Sequence, residues 1–209
     1  MGYRILYAIA WPILHLLFPF RVIGREKLTD QKGGFVICAN HISLMDPVLI
    51  IYTIKRKRMV RFMAKQEIFK NWFVSWFLRT GGAFPVSRGA GAAGGVKQAE
   101  SVLANDQILG IFPEGTRSKT GRLLKAKPGA AMLVSQFDTF VQPIALVCKD
   151  QKVRPFRRTD VIICDPMRLP RQEEGVSQRE YLRICTDAIM QPIAAELAKR
   201  GVPAGEKEP

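Results

Sequence analysis

The sequence predicts a single α/β domain built around a mainly parallel sheet that is flanked by helices. Short apolar runs, each the length of a buried strand, alternate along the chain with segments of helical periodicity. This alternation is typical of strands joined by crossover helices. The 209 residues, 47% of them hydrophobic, suffice for one domain with a substantial core, and no internal repeat divides them.

The predicted elements follow one another with short connections. Strands are expected at residues 35–39, 59–64, 82–86, 107–112, 140–147 and 159–164. Helices are expected from Asp46 onward, at residues 68–79, 94–104 and 128–137, and after the capping-box pattern Ser177 to Glu180. Asp46 is a good N-cap and Pro47 suits a first helical position. The domain therefore covers residues 22–200, and residues 201–209 are expected to be a disordered tail.

Residues 1–21 are predicted to form a helical segment at a membrane interface. The chain is apolar from residue 5 to residue 20, but this run contains Pro12 and is shorter than the roughly 20 residues that a spanning helix needs. No small-x-small cleavage motif follows it, which argues against a signal peptide. An interfacial helix is therefore expected, with a buried terminal helix and a true span as the alternatives.

The net charge of +14 favours anionic partners such as nucleic acid, anionic lipid or a phosphorylated substrate. No recognised nucleic-acid motif is present, so a nucleic-acid partner is not expected. Basic residues between Lys55 and Lys65 precede five aromatic residues at helical spacing, which favours an anionic membrane surface. The aromatic residues are Phe69, Trp72, Phe73, Trp76 and Phe77. A second basic run, residues 149–158, has simple solvation as its alternative.

Four cysteines and two histidines offer no metal-binding pattern. Cys38, Cys148, Cys164 and Cys185 form no CxxC pair, and they are expected to be reduced and buried. The histidines are His15 and His41. No metal site is therefore predicted, and the cysteines favour a reducing compartment.

The segment from Asn40 to Asp46 is the first candidate for chemistry. His41 follows an apolar strand, at the end of the sheet where α/β proteins place their active sites. A histidine exchanges protons near neutral pH, and a carboxylate five residues later can hold its second ring nitrogen. The alternative is a loop histidine beside a helix-capping aspartate.

Two further segments also follow predicted strands. In residues 112–118, Gly115 permits close backbone approach, Thr116 and Ser118 offer hydroxyls, and Arg117 can bind phosphate. In residues 81–88, an extended run ends at Arg88, so two arginines after separate strands can hold one phosphate. No GxSxG motif is present, and Cys38 should point to the face opposite His41, so a covalent enzyme intermediate is not expected.

Together these segments resemble the glycerolipid acyltransferases, in particular 1-acyl-sn-glycerol-3-phosphate acyltransferases. The resemblance extends from about residue 22 to residue 165. Its blocks are HxxxxD at residues 41–46, preceded by Asn40, the glycine-aromatic-arginine block at residues 82–88, FPEGTRS at residues 112–118, and an apolar-x-Pro-apolar strand at residues 141–144. Ser87 departs from the acidic or amide residue that the family often has there.

The resemblance implies an α/β enzyme of phospholipid biosynthesis that acylates lysophosphatidic acid to phosphatidic acid. His41 would act as general base on the sn-2 hydroxyl, with Asp46 orienting it. The acceptor would be bound by Asn40, Arg88, Glu114, Gly115, Thr116, Arg117 and Lys125, with Lys127 as an alternative to Lys125.

The implied acyl donor is acyl-carrier protein or acyl-CoA, and no further cofactor is required. The implied location is the cytoplasmic face of the cell membrane, with peripheral or monotopic attachment. Another acceptor, such as glycerol 3-phosphate or a different lysolipid, and a non-catalytic membrane- or polyanion-binding protein remain the alternatives.

Overall fold

A mixed β-sheet forms the centre of the structure, a computed structural model that describes residues 2–30, 32–54, 58–86 and 92–202. Within these residues the sheet has seven strands in the order β1-β7-β6-β2-β5-β3-β4. The strands are Phe20–Ile23 (β1), Phe35–Ala39 (β2), Val60–Lys65 (β3), Ala83–Val86 (β4), Ile108–Ile111 (β5), Val141–Cys148 (β6) and Thr159–Ile163 (β7). The predicted α/β fold is therefore confirmed.

All neighbouring strands run parallel except β6 and β7, which are antiparallel with Cys148 opposite Thr159. The carboxyl ends of β2 to β6 therefore share one edge of the sheet with the beginnings of β7 and β1. We call this edge the carboxyl edge. It collects the loops that follow Ala39, Ile111 and Cys148.

The described helices are Gly2–Leu17 (α1), Asp46–Thr53 (α2), Trp72–Thr80 (α3), Ala92–Ala104 (α4), Gly129–Gln136 (α5) and Gln178–Ala198 (α6). Helix α6 begins at the predicted cap, because the Ser177 hydroxyl accepts a hydrogen bond from the backbone N–H of Glu180 at 3.3 Å. A 21-residue helix of this kind covers a large part of one sheet face.

The side chains of β2 divide the core into two layers because they alternate between the two sheet faces. Phe35, Ile37 and Ala39 pack with residues of α2 in one layer. Val36 and Cys38 pack with residues of α4, α5 and α6 in the other. Every residue of β2 is buried, as expected for a strand covered by helices on both faces.

Helix α1 lies on the α2 side of the sheet and contacts α3. The His15 ring stacks on Trp11 with centroids 5.0 Å apart and meets the edge of Phe20 at 5.1 Å. Ile13 and Leu16 on the same helix remain exposed. Among the described residues, no helix combines the length and apolar character needed to cross a membrane.

Strand β1 is not predicted by the sequence pattern. Phe20 and Arg21 begin it, although they fall within the predicted interface segment. The apolar residues before Phe20 continue without a break into the strand, so periodicity alone does not mark its start. Arg21 is fixed at this edge by a two-point hydrogen bond to Asp160, at 2.7 and 3.1 Å.

The helix predicted at residues 68–79 is interrupted at Asn71. The Asn71 side chain accepts hydrogen bonds from the N–H groups of Phe73 and Val74, which starts α3 afresh after a short 3₁₀ turn, Gln66–Lys70. The aromatic residues consequently divide, with Trp72, Phe73 and Trp76 exposed and Phe69 and Phe77 half-buried.

The described residues of the first basic cluster lie apart from one another, with Arg58 before β3 and Lys65 at the carboxyl end of that strand. Arg58 donates hydrogen bonds to the carbonyl oxygens of Gly33 and Asp106, at the amino ends of the strands and away from the carboxyl edge. Residues 55–57 lie outside the described residues. The second basic run, residues 149–158, instead follows β6 directly and occupies the carboxyl edge.

Candidate active site

A histidine and a carboxylate meet at the carboxyl edge, directly after β2. His41 Nδ1 lies 2.7 Å from Asp46 Oδ2, and the Asp46 side chain is fully buried. Because Nδ1 is engaged by the carboxylate, Nε2 is the nitrogen left to exchange a proton with a substrate. No described residue hydrogen-bonds Nε2, and the His41 side chain keeps 17% of its surface exposed. The pair therefore has the arrangement of a general base with its orienting carboxylate.

The Asp46 carboxylate also shapes the loop that carries His41. Its Oδ2 accepts backbone hydrogen bonds from Ile42 and Ser43, each at 2.7 Å. The predicted N-cap role is wrong, because Met45 occupies that position and Asp46 is the first helical residue. Asp46 instead folds the preceding loop back toward the helix start. The same oxygen thus fixes both the imidazole and the main chain that presents it.

An aromatic stack supports the imidazole from within the sheet. The His41 ring lies parallel to Phe112 at 4.0 Å between centroids, and Phe112 stacks on Phe62 at 5.6 Å. Gly110 makes room for Phe62, since a Cβ at Gly110 would lie 2.2 Å from a carbon of the Phe62 ring. Gly110 in β5, which has no side chain, therefore contributes to positioning the His41 ring.

Glu114 joins this loop to the segment after β5. Its Oε1 accepts a hydrogen bond from the backbone N–H of His41 at 2.7 Å, and its Oε2 accepts one from Leu124 at 2.8 Å. The backbone N–H of Ser118 donates to the carbonyl oxygen of His41 at 2.8 Å. The main chain of His41 is thus held on both sides by residues 114–118, and we call this arrangement the Glu114 latch.

Burial raises the pKa of Glu114 to about 7, although the N–H groups of Leu124 and His41 oppose the rise and the nearby Asp46 carboxylate adds to it. The side chain is only 3% exposed. Each carboxylate oxygen accepts one backbone hydrogen bond, so Glu114 holds the main chain of His41, and its predicted contact with substrate stays a prediction. The hydrogen bond between Glu114 and His41 joins residues that are 73 positions apart in the chain, so no local sequence pattern indicates this role.

The raised pKa of Glu114 predicts a pH-dependent stability. An acid whose pKa is about 7 in the folded protein and near 4.5 in the unfolded chain makes the fold less stable as pH rises between those values. Compared with Glu114→Gln, we expect the wild-type free energy of unfolding to fall by about 2–3 kcal/mol from pH 5 to pH 8. Urea denaturation at both pH values measures this difference, and equal pH slopes in the two proteins would contradict it.

The loop after Glu114, which also holds the main chain of His41, carries exposed cations. Arg117, Lys125 and Lys127 are exposed, and none has an ion-pair partner among the described residues. Gly115 adopts a left-handed conformation with φ of 72°, and a Cβ there would lie 3.2–3.3 Å from the end of the Lys127 side chain. The end of the Lys127 side chain therefore lies over Gly115. Thr116 is exposed on the same loop.

The side chain of Asn40, a predicted substrate contact, is directed into the fold. Asn40 is buried, its amide donates to the carbonyl oxygen of Leu146 at 3.0 Å, and its Oδ1 accepts from the Leu146 N–H at 2.7 Å. Asn40 therefore continues the pairing of β2 with β6 and is structural. Arg88 and Ser87 lie outside the described residues.

The cysteines are not suited to act as nucleophiles beside His41. All four cysteines are unpaired and buried. Burial raises the pKa of the Cys38 thiol and, to about 12, that of Cys148, so neither is a thiolate at neutral pH. Within the described residues, no group of three or more His, Cys, Asp or Glu side chains is placed to hold a metal ion.

The fold and this loop constellation define the class of protein. The acyltransferase family model matches residues 19–147, which include β1 to β5, all but the last residue of β6, and the segments at residues 41–46 and 112–118. The chain belongs to the acyltransferase family. The matched residues include the His41–Asp46 pair.

Within this family, the chain is similar to proteins named 1-acyl-sn-glycerol-3-phosphate acyltransferase. The chain is 34% identical over 128 residues to a 1-acyl-sn-glycerol-3-phosphate acyltransferase of Bacillus subtilis, covering 58% of this chain and 63% of the relative. It is 32% identical over 120 residues to the enzyme of that name from Streptococcus pneumoniae, covering 57% and 44%. The matched part is thus less than two thirds of either relative.

A solved structure has the same fold. The 1-acyl-sn-glycerophosphate acyltransferase PlsC of Thermotoga maritima aligns with a TM-score of 0.72 at 23% identity. The alignment covers 98% of this chain and 80% of that one.

Proposed function

We propose that the protein transfers an acyl group from an acyl thioester to the free sn-2 hydroxyl of 1-acyl-sn-glycerol 3-phosphate, forming phosphatidic acid. The observation that carries the proposal is the buried Asp46 carboxylate bound to His41 Nδ1, which leaves Nε2 available at the carboxyl edge. The names of the relatives support the acceptor.

His41 acts as general base in the proposed mechanism. Nε2 removes the proton of the acceptor hydroxyl while its oxygen bonds to the thioester carbonyl carbon. Asp46 stabilises the imidazolium that forms, because the buried carboxylate is already within hydrogen-bond distance of Nδ1. The tetrahedral intermediate then collapses with cleavage of the carbon–sulfur bond. The imidazolium returns its proton to the departing thiolate, so the histidine is regenerated and no acyl-enzyme forms.

The acceptor phosphate binds the exposed cations of the loop after β5. Arg117 offers two parallel N–H groups to phosphate oxygens, and Lys127 adds a point charge over Gly115. Both lie on the segment whose Glu114 and Ser118 hold the main chain of His41. Phosphate binding therefore places the acceptor in a fixed relation to the base.

A panel of acceptors tests the proposed substrate. Purified protein is assayed with lysophosphatidic acid, glycerol 3-phosphate, lysophosphatidylcholine and monoacylglycerol, using acyl-CoA and acyl-carrier protein as donors. We expect the largest kcat/KM for lysophosphatidic acid. A larger kcat/KM for another acceptor would identify that acceptor, and not lysophosphatidic acid, as the substrate. No transfer to any acceptor would contradict the proposed acyltransferase activity.

Arg117→Ala is expected to reduce kcat/KM for lysophosphatidic acid by about 10- to 100-fold, because it removes a charge-assisted contact to phosphate. The effect on monoacylglycerol should be less than threefold, since that acceptor has no phosphate. Arg179→Ala, which removes an exposed arginine from the first turn of α6, is the matched control. Equal losses on both acceptors would exclude the phosphate-binding role.

We propose that the protein acts at the anionic surface of the cytoplasmic face of the cell membrane, to which it is attached peripherally or monotopically. Support comes from the exposed apolar residues of α3, where Trp72, Phe73 and Trp76 are 78, 56 and 54% exposed. Ile13 and Leu16 add exposed apolar surface on the neighbouring α1. The four unpaired cysteines agree with a reducing compartment.

Replacing Trp72 and Trp76 together by serine is expected to weaken binding to anionic phospholipid vesicles by at least about tenfold, because indole burial in the interface is lost. Co-sedimentation with vesicles measures the change. Ile184→Ser is the matched control, since Ile184 is an exposed apolar residue of α6 on the other face of the sheet. Unchanged binding of the double variant would refute this surface.

A further inference from the structure

A groove of about 690 Å³ opens at the carboxyl edge on the α6 side of the sheet. One wall is the segment from Thr120 to Arg122, and the other is the connection from Cys148 to Gln151. The end of α6 closes it with Arg200 and Val202. Its volume lies in the range of sites for cofactor-sized ligands. We call it the edge groove.

The charged lining of the edge groove leaves an excess of positive charge. It comprises four cations and two carboxylates, which are Arg122, Lys149, Arg158, Arg200, Asp150 and Asp160. Asp160 binds Arg21 at 2.7 Å and Arg158 at 3.6 Å, and Asp150 binds Arg157 at 3.5 Å. Arg200 binds Glu196 at 2.7 Å. Arg122 and Lys149 have no ion-pair partner among the described residues. The groove therefore suits a ligand that carries phosphate.

A buried amide in the lining has an unused acceptor. Gln151 Nε2 donates to the carbonyl oxygen of Cys148 at 3.2 Å, whereas its buried Oε1 has no hydrogen-bond partner among the described residues. Gly121 fits closely beneath it, because a Cβ there would lie 2.2 Å from Gln151 Cβ. A buried acceptor without a partner is costly, so a ligand N–H or O–H at this position would relieve that cost.

The edge groove adjoins the site without containing its base. The Thr120 hydroxyl lies 3.5 Å from that of Ser118, whose backbone N–H donates to His41. The opposite wall begins two residues after Leu146, which pairs with Asn40. Both walls are thus continuous with the segments that hold His41. The groove lies on the sheet face opposite the exposed aromatic residues of α3, away from the proposed lipid surface.

We infer that the edge groove binds the phosphopantetheine arm of the acyl donor, the chemistry common to acyl-CoA and acyl-carrier protein. The inference rests on the proposed acyltransferase function. The phosphate binds Lys149 and Arg122, and an amide N–H or the hydroxyl of the arm donates to Gln151 Oε1. The donor then approaches from the aqueous side while the lysolipid approaches from the membrane. The acceptor phosphate and the donor phosphate thus bind separate cations, Arg117 and Lys127 for the acceptor and Arg122 and Lys149 for the donor.

Steady-state kinetics of Lys149→Ala and Arg122→Ala test the inference. Both side chains are exposed and unpaired, so the fold should tolerate their loss. We expect each substitution to raise KM for acyl-CoA and for acyl-carrier protein about tenfold, with kcat and the KM for lysophosphatidic acid within twofold of wild type. Lys97→Ala, an exposed lysine on α4 away from the groove, should leave all three constants unchanged.

Calorimetric titration with free 4′-phosphopantetheine provides a second measurement, in which Lys149→Ala and Gln151→Leu should each weaken binding about tenfold. An unchanged donor KM, or an equal rise in the acceptor KM, would overturn the inference. A rise with only one donor would overturn the assignment to the shared arm. A wild-type protein that transfers acyl groups to no acceptor would instead refute the proposed function, so the two failures are distinguishable.

Discussion

Replacing His41 with alanine is expected to reduce kcat for acyl transfer by about 10²- to 10⁴-fold, the usual contribution of a general base. The imidazole packs against Phe112 and bonds Asp46, but the loop main chain is also held by Glu114 and Ser118. The fold and the binding to anionic vesicles should therefore remain close to wild type. Acyl transfer is measured with lysophosphatidic acid in detergent micelles, so that activity does not depend on membrane attachment.

His15→Ala is the matched control for this variant, because His15 is the only other histidine in the chain and stacks on Trp11 in α1. It should retain nearly full activity in micelles. If His41→Ala retained more than a tenth of wild-type activity, His41 would not be the base. If His41→Ala lost vesicle binding as well as activity, the loss of activity would result from misfolding and not from removal of the general base.

Substitutions of Asp46 are expected to separate its two roles. Asp46→Asn keeps one oxygen that can accept from the N–H groups of Ile42 and Ser43, but it removes the charge that stabilises the imidazolium. We expect kcat to fall by about 10²-fold or more while the free energy of unfolding changes little, because the single oxygen retains the loop contacts. Asp46→Ala also leaves the two N–H groups unpaired, so stability should fall by about 2–4 kcal/mol in addition.

Chemical denaturation and steady-state kinetics of both variants test this separation. Asp187→Asn serves as the control, since Asp187 is an exposed carboxylate that makes a 3.4 Å ion pair on α6. Equal stability losses for the asparagine and alanine variants would show that the negative charge, and not the acceptor oxygen, holds the loop. Full activity of Asp46→Asn would remove the orienting carboxylate from the mechanism.

The strands could be predicted because their signal is local. The apolar run at residues 35–39 coincides with β2, and the other predicted strands lie within two residues of the observed ones. β1 could not be predicted from periodicity, because its apolar residues directly continue the apolar residues of α1. The break in the aromatic helix depends on the Asn71 side chain turning back to cap α3, a competition between local geometries that periodicity does not resolve.

The candidate site was predictable in its residue types and less so in its contacts. The spacing of His41 and Asp46 indicated the pair, and the structure places them 2.7 Å apart. The roles of Asn40 and Glu114 depend on partners far along the chain, Leu146 and the main chain of His41. Such contacts are set by the order of strands in the sheet, which no short motif encodes. The predicted contribution of Arg88 stays a prediction.

The Glu114 latch has a consequence for exchanging parts between related enzymes. The loop proposed to bind the acceptor and the main chain of His41, the proposed base, are joined by the Glu114 carboxylate and the Ser118 N–H, through three hydrogen bonds at 2.7, 2.8 and 2.8 Å. A chimera that receives a foreign loop between Glu114 and Lys127 will inherit a new acceptor preference only if the graft reproduces those bonds. Otherwise the altered loop is expected to displace the His41 imidazole, so that acceptor selectivity and turnover are lost together.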